Sequence, residues 1–73
     1  MPKRYTAKQI LRALRRLGFS EITQKGSHLK VRGIREGKLQ TAIIPMHHDI
    51  AVGTLSSILR QANVTKQELE DNI

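Results

Sequence analysis

One stretch constrains this chain more than any other: Lys25-Gly26-Ser27-His28-Leu29-Lys30-Val31-Arg32. A glycine turn releases a segment in which polar and apolar residues alternate. Side chains of an extended chain point to opposite faces in turn. His28, Lys30 and Arg32 therefore share one face, and Leu29 and Val31 the other. One face is fit to bury and the other fit to meet a phosphate. A histidine among cations on a small basic chain points to RNA chemistry ahead of other functions.

The flanking sequence supplies partners for that strand. Upstream, Thr6 with Gln9 three residues on reads as a capping box, and Tyr5 with Ile10 as a hydrophobic staple. Ile10, Leu14 and Leu17, with Leu11 alongside, form an apolar stripe at helical spacing. Lys8, Arg12, Arg15 and Arg16 occupy another arc, and Gly18 stops the helix. Residues 19–25 read as a first strand, Gly26 as a turn needing positive φ, and residues 27–32 as a second strand. Residues 33–38 read as a longer, basic hairpin loop. Residues 39–46 form a third strand, in which Ala42-Ile43-Ile44 is expected to be buried on much of both faces and Pro45 marks an end or an edge. A second helix from near Val52 carries Leu55, Ile58, Leu59 and Ala62 on one stripe, with Asn63 as its C-terminal cap. Thr65 with Glu68 opens a short terminal helix whose main apolar contact is Leu69. The expected architecture is an α+β sandwich, α-β-β-β-α, with three antiparallel strands, helices on one face and a short C-terminal helix. The chain reads as a single domain over residues 1–73. The open sheet face, carrying His28, is left for function.

Size and charge narrow the function classes. A chain of 73 residues buries only about 60% of its unfolded surface. It has no cysteine, so disulfides and thiolate ligands are excluded, which fits a reducing cytoplasm. No apolar run reaches membrane-spanning length, and Met1-Pro2-Lys3-Arg4-Tyr5 is not followed by a signal-type apolar core. The formal charge is +7. Residues 1–38 hold 11 of the 13 basic residues and only two acids, Glu21 and Glu36. That asymmetry is the footprint of a polyanion binder. The aromatic residues are Tyr5 and Phe19 alone, so base stacking is minor and sequence readout weak. His47 and His48 would point to opposite sides of a continuing strand and make a poor chelate, so no metal site and no cofactor is expected.

Each candidate has a bland alternative. His28 reads as a plain surface histidine or as a proton-transfer group, since histidine titrates near neutrality. Arg12 and Arg16 read as a solvated face or as phosphate contacts; the stripe they share has no acid, whereas salt-bridged surface helices interleave signs. Arg35 and Lys38 are the next candidates for such contacts. Gly26 and Ser27 either make the turn or let the backbone approach a phosphate. Ser27 has no acid placed to orient His28 as its base, so it is not read as a nucleophile. His47 is open between a strand end and a substrate contact.

The motifs also carry a resemblance. Leu17-Gly18-Phe19 closes the first helix, and Gln24-Lys25-Gly26-Ser27-His28 follows it. Ile44-Pro45-Met46-His47 ends the third strand. Gly53-Thr54-Leu55, Ile58-Leu59-Arg60-Gln61-Ala62 and the stretch from Thr65 to Leu69 complete the set. In this order and spacing the chain resembles the HicA-type toxins, which cleave mRNA and are paired with a HicB-like antitoxin. Asn63, where many relatives have glycine, and the extra His48 depart from the pattern without touching Gly-Ser-His. The resemblance implies a double-stranded-RNA-binding-like fold, a metal-independent endoribonuclease with His28 as catalytic residue, and an antitoxin that covers the His28 face. The expected RNA contacts are Lys25, Gly26, Ser27, Lys30, Arg32, Arg12, Arg16 and His47. One histidine cannot be base and acid at once; His47 and Lys30 both stand as the second group. The rival reading is a non-catalytic double-stranded-RNA-binding module in which His28 only touches the backbone.

Overall fold

The structure is a computed structural model, and it describes residues 4–73; residues 1–3, part of the N-terminal stretch considered above, lie outside the described residues. Six elements follow one another: α1 (Ala7–Arg16), β1 (Ser20–Lys25), β2 (His28–Arg35), β3 (Lys38–Pro45), α2 (Val52–Ala62) and α3 (Lys66–Asp71). The strands form one antiparallel sheet in the order β1-β2-β3. This is the expected α+β arrangement.

Local chemistry sets the element ends. At the start of α1 the Gln9 amide donates to Thr6 Oγ1 at 3.1 Å, and the Thr6 amide donates to Gln9 Oε1 at 2.9 Å. The same reciprocal pair joins Thr65 and Glu68 ahead of α3. Such boxes satisfy amides that have no partner inside the helix. α2 ends at Asn63, whose left-handed backbone (φ 56°, ψ 46°) is one that asparagine adopts readily.

The alternation of β2 sorts its residues as its sequence implies. Leu29 and Val31 are buried, together with Ala42 and Ile44 of β3, Ile10 and Leu14 of α1, and Leu55 and Ile58 of α2. Each large aliphatic side chain so placed contributes about 1.5–3 kcal/mol of burial. The helices cover this face and leave the other open. Phe19 precedes β1 and lies in the core. β1 itself is an exposed edge strand with an irregularity between Glu21 and Thr23. The outer edge of β3 is not left bare: the Ile43 amide donates to Gln61 Oε1 of α2 at 2.9 Å.

Two expectations about β2 and β3 are corrected. The long basic loop over residues 33–38 does not exist. β2 runs on to Arg35, and only Glu36 and Gly37 connect it to β3, both at positive φ (53° and 77°), the pattern of a two-residue type I′ hairpin. Gly33 looks like a loop glycine but sits inside the strand. A Cβ there would lie 2.9 Å from the Phe19 ring and 3.1 Å from the Gly18 carbonyl oxygen. The missing side chain is the space the ring occupies. Ile43, expected to be buried, faces the open side and is 36% exposed; β3 is buried on one face only.

Candidate functional site

The turn that introduces β2 is Gly26-Ser27. Gly26 has φ 58° while Ser27 does not share the positive region, so glycine takes the first central position, as a type II′ hairpin requires. The turn is pinned on both sides. Gln24 Nε2 donates to the Gly26 carbonyl at 3.0 Å, and the Met46 amide donates to the Ser27 carbonyl at 2.6 Å. A two-residue turn places Lys25 directly opposite His28, with Cβ atoms about 5 Å apart. The β3 register sets Pro45 opposite His28 on the other side and Ile43 opposite Lys30, which also faces Thr23 of β1.

These pairings gather one hollow on the open sheet face, lined by Thr23, Lys25, His28, Lys30 and Ile43. His28 and Lys30 are two residues apart on a strand, about 7 Å along its axis. His28 is exposed and makes no side-chain hydrogen bond among the described residues. No acid lines the hollow. Glu21 lies opposite Val31, which turns its side chain toward the helices, and it pairs there with Arg15. Arg32 continues the row beyond Lys30, half-buried, with its Nε donating to Thr41 Oγ1 at 3.1 Å. The far end of this face changes character: the paired Ile34 and Leu39 are 67% and 63% exposed. Like charges opposite and beside one another repel when nothing lies between them. An anion seated against Lys25 and Lys30 relieves that repulsion, and His28 is then beside it.

The remaining candidates lie elsewhere. Arg12 and Arg16 line a groove on the helix side with Lys8, Leu11, Arg15 and Met46. Arg16 also donates to the Asn72 carbonyl at 3.2 Å, at the end of α3. His47 borders a third hollow with Thr6, Ala7, Lys8, Met46 and His48, and its carbonyl accepts from the Ala7 amide at 3.0 Å. The expectation that Arg35 is a free loop cation is corrected: it is half-buried, paired with Glu68, and donates to the Asn63 carbonyl at 3.4 Å. Lys38 is exposed at the hairpin. Sequence reasoning missed Thr23 and Ile43 as walls of the hollow. The signal was the same two-residue alternation, carried across the sheet by a register that no local motif fixes.

A three-stranded antiparallel sheet with its helices on one face and a cationic row on the other defines a small α+β protein of double-stranded-RNA-binding-like fold. Residues 7–64 match the family model described as HicA toxin of bacterial toxin-antitoxin. The chain belongs to the HicA toxin family, and so to the toxin side of a toxin–antitoxin system, which implies an antitoxin partner. No curated protein matches it. α3 lies beyond the matched span. Among the described residues, no helix is long and apolar enough to cross a membrane.

Proposed function

We propose that this chain is the toxin of a type II pair and a metal-independent endoribonuclease that cleaves mRNA in the cytoplasm, with His28 as the catalytic residue. The observation that carries the reading is the hollow on the open face. It unites an exposed histidine, without a side-chain partner among the described residues, with two cations and no acid. RNA brings its own nucleophile, the ribose 2′-hydroxyl. That oxygen attacks the adjacent phosphorus, the P–O5′ bond breaks, and a 2′,3′-cyclic phosphate and a 5′-hydroxyl are left. His28 takes the 2′ proton or protonates the departing 5′-oxygen. Lys25 and Lys30 stabilise the charge that builds on the phosphoryl oxygens. The Gly26-Ser27 turn has no bulky side chain to hold the backbone away from the phosphate.

The second proton-transfer role goes to Lys30 rather than to His47. Lys30 shares the hollow with His28, whereas His47 borders a different one beside α1. Arg32 contacts a neighbouring phosphate along the same row. Neutralisation falls to a HicB-like antitoxin seated on the His28 face. The test is RNA incubated with the protein in excess chelator. Cleavage should proceed and leave 2′,3′-cyclic phosphate ends, and a single 2′-deoxy nucleotide at a cut position should block that cut. Cleavage that stops in chelator, or that continues at the 2′-deoxy position, refutes the mechanism. Binding without any cleavage selects the non-catalytic RNA-binding module.

A further inference from the structure

We propose that the groove along α1 is a second RNA site, one that holds phosphates of a single strand flanking the bond at His28. The proposal rests on the ribonuclease reading above and adds to it a substrate path. α1 carries four cations and no acid. Two of them are engaged, Arg15 with Glu21 and Arg16 with the Asn72 carbonyl. Lys8 and Arg12 are exposed and have no side-chain partner among the described residues. Lys8 moreover sits in the first turn of α1, at the positive end of the helix dipole. A cation there is unfavourable, and no side-chain contact among the described residues offsets it. An anion in the groove would.

The groove is concave and its floor is apolar, formed by Leu11 and Met46. Ribose and base surfaces fit such a floor while phosphates meet the rim. The groove's Met46 end lies at the edge of the sheet nearest the candidate active site. Met46 follows Pro45, the residue opposite His28, and its amide is bonded to the carbonyl of Ser27, the residue before His28. One strand of RNA can therefore leave the hollow, round the Gly26-Ser27 turn and lie along α1.

That path selects a single strand. The hollow opens on the bare face of the sheet and the groove lies on its helix side, and the molecule is only 18 Å across its shortest extent. A duplex is a stiff rod on this scale; DNA bends only over a persistence length of about 50 nm. It cannot turn from one face to the other around so thin an edge. A single strand can.

Binding of labelled oligoribonucleotides to a His28→Ala variant isolates the groove from cleavage. RNAs of about 4 and about 12 nucleotides span the usual site sizes of single-strand grooves. The longer RNA should bind at least ~10-fold more tightly, and adding Lys8→Ala with Arg12→Ala should remove most of that gain. The two lost contacts should lower the slope of log affinity against log salt by about 1.4, at ~0.7 per phosphate for a single strand. Lys8→Arg with Arg12→Lys should retain the gain, which separates charge from damage to the helix. A duplex of the longer sequence should lose little on the same substitutions. A length gain that survives the alanine pair, no gain at all, or a duplex as sensitive as the single strand overturns the proposal. The first of these leaves an acidic protein as the occupant of the groove. Because the readout is binding, failure of His28 to catalyse leaves this result standing, and failure here leaves the assignment of His28 untouched.

Discussion

At position 33 a hydrogen in place of a side chain decides how β2 meets the start of β1. The Phe19 ring lies where a Cβ would go, so Gly33→Ala should overpack the site and cost about 1–3 kcal/mol. Urea unfolding should show the midpoint falling with the slope unchanged. An unchanged midpoint would mean that the ring moves aside at no cost. His28 is the opposite kind of residue. It is exposed, its side chain holds no hydrogen bond among the described residues, and it fills no space in the core. Its removal should be nearly silent in stability. Tyr5 shows a third case, a residue with one end in each role. Its ring is buried in the core beside α1, and its hydroxyl donates to Glu70 at 2.7 Å. That bond, with burial and the carboxylate charge, raises the phenol above its ordinary value. The stability it lends is present below the ordinary tyrosine range and is lost as pH rises through the raised value.

Among the elements, α3 is held by a buried leucine and by a charged contact to β2. Leu69 is buried, while Glu68 receives the Thr65 amide and the Arg35 guanidinium. Those contacts, the Thr65 amide foremost, hold the Glu68 carboxyl below its usual range. A depressed carboxylate contributes stability above its unfolded value and loses it as pH falls through the folded one. The stability difference between the natural chain and Glu68→Gln should therefore be largest near about pH 7 and shrink toward about pH 3. Denaturant midpoints at the two values check this; a constant difference would mean that the Arg35 contact does not depend on the charge. The ends of these elements were legible in sequence because their causes are local: Thr6 with Gln9, Thr65 with Glu68, and Asn63 each act within one turn. Placing His28 and Lys30 on one face was local too, being two residues on one strand. The length of the β2–β3 connection was not legible, though the hairpin itself was. Gly33 reads as a loop residue until Phe19, distant in sequence, is seen packed over it. Nor were Thr23 and Ile43, because a register that includes the irregularity after Glu21 brings them to the hollow.

The whole molecule is small and strongly cationic, with a charge of +7 and principal extents of 35 × 29 × 18 Å. Its helices cover one side of the sheet, so one open face carries both the hollow and the Lys30–Arg32 row. An acidic antitoxin and RNA should compete for it. A titration with His28→Ala should show that binding is mutually exclusive, with Lys30→Glu weakening both ligands and association slowing as salt rises. A ternary complex with undiminished RNA affinity would place the antitoxin elsewhere. What the histidine of Gly-Ser-His does is decisive for the ribonuclease reading. The most direct measurement is the single-turnover rate of RNA cleavage in excess chelator by the natural chain and by His28→Ala, with thermal unfolding of both recorded alongside. Cleavage by the variant should fall by at least roughly 10²-fold, with a melting temperature close to the parent's. A variant that folds normally and cleaves at a comparable rate would contradict that reading.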